Sequence, residues 1–128
     1  MIDNFAKMRK GRETVSINKP SRSDIAGGQS FALPELVAYQ EGAVVSRVIL
    51  KRENGNITLF AFDEGQGLSE HTAPFEALVQ AIEGEAEVTI SGAPIALKGG
   101  EVVLLPANQP HAVKANTRFK MMLTMIRS

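Results

Sequence analysis

The feature that most constrains this chain is its punctuation from Phe31 onward. Short runs rich in Val, Ile, Leu and Phe alternate with clusters of Gly, Pro, Asn and Ser, and no stretch is periodic enough for a long helix. Residues 44–50, 57–62, 77–83, 86–90, 94–97, 102–105, 111–115 and 119–126 read as strands. Their breakers are Asn54-Gly55, Gly84-Glu85, Ser91 to Pro94, Lys98-Gly99-Gly100, Pro106 to Pro110 and Asn116-Thr117. Asn54-Gly55 is the strongest hairpin signal, because Asn-Gly supplies the two positive φ angles of a type I′ turn. Strands and turns at this spacing predict an all-β antiparallel sandwich or barrel.

Length and composition narrow the function. A chain of 128 residues makes one domain able to bury about two thirds of its unfolded surface without a metal or a disulfide. It has no cysteine, so a metal must be held by His, carboxylate, amide or water, and a reducing cytoplasm is the expected location. No apolar run suggests a signal peptide or a membrane span. Charge balances overall but not along the chain. Residues 1–30 carry six basic and three acidic side chains, net +3; the rest carries eight basic and eleven acidic, net −3. Such a body is a poor polyanion binder, and nucleic acid is not an expected partner. Residues 1–30 read as a polar arm or tail, in which Ile2, Phe5 and Met8 could form one apolar stripe and Gly27-Gly28 would end a short helix. Residues 31–128 form the β domain.

Only two histidines are present. His71 follows Gly65-Gln66-Gly67-Leu68-Ser69-Glu70, and His111 follows Pro106-Ala107-Asn108-Gln109-Pro110. Each enters an apolar strand from a turn, which is how a barrel places side chains at its mouth. As the only groups titrating near neutrality, they would have to carry any acid or base catalysis. No nucleophile elbow and no phosphate-binding glycine loop is present.

The spacing of these residues resembles that of small single-domain cupins. The first motif of that family maps onto Gly65, His71, Ala73, Ala77 and Gly84, and the second onto Gly100, Pro106, Asn108, His111 and Ala115. The frame matches throughout, but the second histidine of the family is Ala73, the glutamate is Ala77 and the asparagine is Ala115. The resemblance implies an antiparallel double-stranded β-helix, a jelly-roll cupin barrel with an N-terminal arm. It also places His71 and His111 at the first and last metal-ligand positions.

With residue 77 facing inward, Val79 and Ala81 face inward too, and Leu78, Gln80 and Ile82 face out. The two alanines are expected to enlarge the pocket and strip it of charge. The reading is a small-molecule-binding barrel with a weakened or lost divalent site. Its ligand-binding residues are His71, Phe75 and His111, and His71 and His111 are the candidate ligands for a weakly bound Zn, Ni, Fe or Cu. The bland alternative is that both are ordinary pocket histidines that hydrogen-bond a ligand or water. A metal-dependent oxygenase or isomerase is the alternative function, and a purely structural dimer module is a third. Glu76 is offset by one residue from the motif carboxylate and is expected on the solvated rim. Met121, Met122 and Met125 read as core filling. Leu78 and Ile82 on the outer face call for a cover, which predicts a homodimer or, failing that, a covering N-terminal arm.

Overall fold

A computed structural model describes residues 24–127. They form a 3₁₀ turn, Leu33–Leu36, followed by nine strands: β1 (Val44–Arg52), β2 (Gly55–Phe62), β3 (Gly67–His71), β4 (Glu76–Glu83), β5 (Glu85–Ile90), β6 (Ala93–Lys98), β7 (Val102–Leu105), β8 (His111–Ala115) and β9 (Phe119–Ile126). Two antiparallel sheets face each other, one in the order β1-β2-β9-β4-β7 and the other β3-β8-β5-β6. This is the jelly-roll arrangement expected from the sequence. Among the described residues no helix is long and apolar enough to cross a membrane.

The strand alternation sorts side chains between the two sheets and the outside. Phe62, Val79, Ala81, Val88, Leu97, Phe119 and Met121 make the inner core. Leu59, Ala61 and Ile49 point the other way, into a second cluster with Val37 that Ile25, Leu33, Leu36, Tyr39, Ile82 and Met122 pack against. The chain from residue 25 to 39 therefore lies over part of the outer face of the five-stranded sheet. It is fastened there by the Ile25 N–H bond to the Ile49 carbonyl, by Lys120 Nζ donating to the Pro34 carbonyl and by the Tyr39 hydroxyl donating to Glu83 at 2.7 Å. Burial and the Glu83 carboxylate push the Tyr39 phenol well above its ordinary pKa. Within the expected arm, residues 24–30 thus include a packed Ile25; residues 1–23, with the stripe Ile2, Phe5 and Met8, lie outside the described residues.

The turns correct the hairpin argument. The β1–β2 hairpin exists with Arg52 opposite Gly55, but neither Asn54 nor Gly55 has a positive φ. The turn residues are Glu53 and Asn54, and Gly55 opens the next strand. Gly55 is needed there because a Cβ would lie 2.3 Å from the Met125 carbonyl oxygen. The geometry foretold for Asn54-Gly55 occurs instead at Ser91 (φ 50) and Gly92 (φ 82), between β5 and β6. Pro94 is tolerated in β6 because that strand is a sheet edge.

Candidate functional site

β3 and β8 pair antiparallel, with His71 directly opposite His111. β3 is not among the strands expected from the sequence, since Gly67-Leu68-Ser69-Glu70-His71 has one apolar residue, and four of its five residues are exposed. The turn before β8 is set by Asn108, which occupies the motif glycine position with φ 67; asparagine is among the few residues that tolerate this region. Its N–H bonds the Ala73 carbonyl at 2.7 Å. That bond ties the segment after His71 to the segment before His111.

Each imidazole is oriented by the carbonyl two residues before it. His71 Nδ1 lies 3.2 Å from the Ser69 oxygen, and His111 Nδ1 lies 3.1 Å from the Gln109 oxygen. A carbonyl can only accept, so each Nδ1 carries the proton and donates it. When both rings are neutral, both Nε2 atoms then carry bare lone pairs, and these converge at 3.2 Å, with the rings edge to face. Two acceptors at that distance repel unless something positive lies between them: a proton, a hydrogen-bond donor or a metal ion. His71 is exposed and His111 is buried. Burial lowers the His111 pKa, the Gln109 carbonyl opposes this, and the neighbouring His71 adds to the lowering.

Behind the pair is a cavity of about 70 Å³, bordered by Ala73, Phe75, Ala77, Met121, Leu123 and Met125 as well as both histidines. Ala73 and Ala77 both border this cavity, as expected of inward-facing positions. Phe75 and the β9 side chains share its wall, and the cavity has room for about two water molecules. Phe75 lies at the mouth, with the Arg127 guanidinium 5.1 Å from its ring centroid. Glu76 is exposed, and with Leu78 and Leu104 it borders a separate open groove of about 360 Å³ outside the barrel. It does not face the histidines' cavity.

A resident divalent centre can be tested against this geometry. Two imidazole nitrogens bound to one tetrahedral metal at 2.0–2.1 Å would lie about 3.3 Å apart, and the observed separation is 3.2 Å. Each ring also has the outer-shell carbonyl that orients a ligating histidine. Two corners of a shell are therefore present, but Ala73 and Ala77 put methyl groups at two other motif positions. Among the described residues no cluster of three or more His, Cys, Asp or Glu exists. The residues do not fit a divalent ion held by a full set of protein ligands.

A family model for the cupin domain matches residues 58–127. This chain belongs to the cupin family. Solved structures agree with that membership. A conserved protein of unknown function from Streptococcus pyogenes is 27% identical with a TM-score of 0.81, over 88% of this chain and 98% of the other. A cupin 2 conserved barrel domain protein from Leptotrichia buccalis is 41% identical with a TM-score of 0.73, over 76% of this cupin and 47% of the other chain. A cupin superfamily protein from Desulfitobacterium hafniense is 28% identical with a TM-score of 0.75, over 79% and 93%. No curated protein matches the chain.

Proposed function

We propose that this cupin is a small-molecule-binding barrel, acting in the cytoplasm, whose divalent-metal site has been weakened to two ligands. The observation that carries the reading is the pair of Nε2 atoms 3.2 Å apart at the mouth of a mostly apolar cavity. The fixed Nδ1–H tautomers make both Nε2 atoms acceptors, so the pair favours a ligand that presents a hydrogen-bond donor or a positive charge. The cavity of about 70 Å³ admits only a short apolar group beyond that head, with Phe75 against the remainder of the ligand at the mouth. Removing His111 leaves one acceptor and no convergence. Native mass spectrometry of protein taken directly from cells, compared with His111→Ala, is the test: a small adduct on the native chain that the variant lacks supports the reading. Zn or Ni binding tightly to the native chain, at nanomolar concentration, would overturn it.

A homodimer is the proposed assembly. The described chain covers Ile82 with its own residues 25–39, whereas Leu78 (39% exposed), Leu104 (49%), Val102 (56%) and Ile126 (64%) remain bare. An apolar patch of this kind calls for a partner surface, and a second copy supplies an identical one.

A further inference from the structure

Met125 stands directly across the strand pair from Ala77, the position where the family carries its carboxylate. Ala77 and Met125 are direct cross-strand partners on β4 and β9, so their side chains leave the sheet side by side on one face. Alternation along β9 puts Met121, Leu123 and Met125 on the histidines' cavity. It turns Met122 into the outer cluster and Thr124 and Ile126 toward the outer groove. The Met125 thioether therefore leaves the sheet beside the Ala77 methyl and borders the same cavity as both imidazoles. Among the described residues no carboxylate borders it.

We propose that this cavity takes one monovalent copper ion, bound by Nε2 of His71, Nε2 of His111 and the thioether sulfur of Met125. The inference rests on the converging imidazoles described above and goes beyond them in naming a third donor and an ion. Three uncharged donors, one of them soft, match a soft cation of low charge; thioether sulfur selects copper(I), whereas zinc, nickel and iron(II) are better served by imidazole with carboxylate. Charge points the same way. Born desolvation grows with the square of the charge, so a +1 ion costs about a quarter of what a +2 ion costs to enter an apolar cavity with no anion to offset it. Both lone pairs of the imidazole pair are already aimed at one point, so binding the ion removes their repulsion without a tautomer change.

The test is anaerobic competition for copper(I) against bicinchoninate with the full chain. The expected result is one copper(I) per chain, with zinc bound far more weakly. Met125→Leu keeps volume and shape nearly constant and should weaken copper(I) about tenfold or more, without changing the melting temperature of the metal-free protein appreciably. Met122→Leu, on the outside of the sheet, should leave affinity unchanged. X-ray absorption should show a sulfur neighbour of the copper that Met125→Leu removes. Copper(I) bound no tighter than zinc, or unchanged by Met125→Leu, overturns the inference. If His111→Ala abolishes copper binding while Met125→Leu does not alter it, the three-donor site is overturned and the convergent imidazole pair of the proposed function stands. If His111→Ala has no effect, the convergent pair fails and the proposed function fails with it.

Discussion

Rebuilding the missing half of the metal shell probes the pocket most stringently. Ala73→His with Ala77→Glu adds an imidazole and a carboxylate at two positions bordering the cavity of His71 and His111. The native pair should hold Zn or Ni no better than roughly micromolar, about 8 kcal/mol. A third imidazole and an anion should tighten this by about a thousandfold or more, about 4 kcal/mol. The structure also sets a steric cost, because the cavity of about 70 Å³ is smaller than two added side chains and Met125 stands opposite residue 77. Overpacking costs about 1–3 kcal/mol per site. The metal-free variant should therefore melt roughly 8 °C or more below the native chain, at about 4 °C per kcal/mol for a fold of this size. Saturating metal should restore about 4 kcal/mol at a thousandfold excess over Kd. Adding Met125→Ala should relieve the crowding while keeping the new ligands. Isothermal calorimetry gives the affinity and scanning calorimetry the cost, and His111→Ala should abolish binding in both backgrounds. If neither the double nor the triple variant binds a divalent ion better than the native chain, residues 73 and 77 do not converge with the histidines and the motif alignment is wrong.

Other perturbations have signs fixed by single contacts. Leu104→Lys places a charge in the bare outer patch, and light scattering at micromolar concentration should show a dimer turning monomeric; a native chain that is already monomeric would refute the assembly. Gly84→Ala should destabilise by more than about 2 kcal/mol, because φ is +84° and the added Cβ would overlap the Arg118 carbonyl; an unchanged urea midpoint would contradict the close approach. Asp63 accepts hydrogen bonds from the Gly42 amide, the Arg118 guanidinium and the Glu64 amide, and these hold its pKa below the ordinary 3.8. A carboxylate depressed on folding adds stability above its unfolded pKa and loses it as pH falls through the folded value. Asp63→Asn should therefore be less stable near neutrality and lose less stability in acid, and parallel acid curves would show that the contacts contribute nothing.

Much of the fold was legible because the signals were local. Apolar runs between Gly and Pro clusters marked eight strands, and motif spacing placed the turn of Asn108 and the inward face of Ala77, Val79 and Ala81. β3 escaped because an exposed strand of Gly, Leu, Ser, Glu and His has no apolar alternation to betray it; only its pairing with β8 makes it a strand. Local turn rules assign Gly55 backbone freedom, whereas its demand is close packing against β9, a contact separated by seventy residues that no local rule contains. The same holds for the site. His71 and His111 were recognisable from the two motifs, but their tautomers depend on the carbonyls of Ser69 and Gln109, and the role of Met125 on its register with Ala77. An outward-inward count along β9, set against the alanines of the first motif, was the signal available for Met125. Covering of Ile82 by residues 25–39 likewise required knowing that the chain before β1 doubles back over the sheet.

The proposed binding head depends on both histidines carrying their proton on Nδ1 and presenting bare Nε2 atoms to one another. Long-range ¹H–¹⁵N correlation of the imidazoles in metal-free protein at pH 8 measures this directly. The expected spectrum shows both rings as Nδ1–H tautomers, with the two Nε2 resonances moving together when a binding ion is added. An Nε2–H tautomer on either ring would put a hydrogen between the two nitrogens without any ligand, and the convergent acceptor pair would not exist.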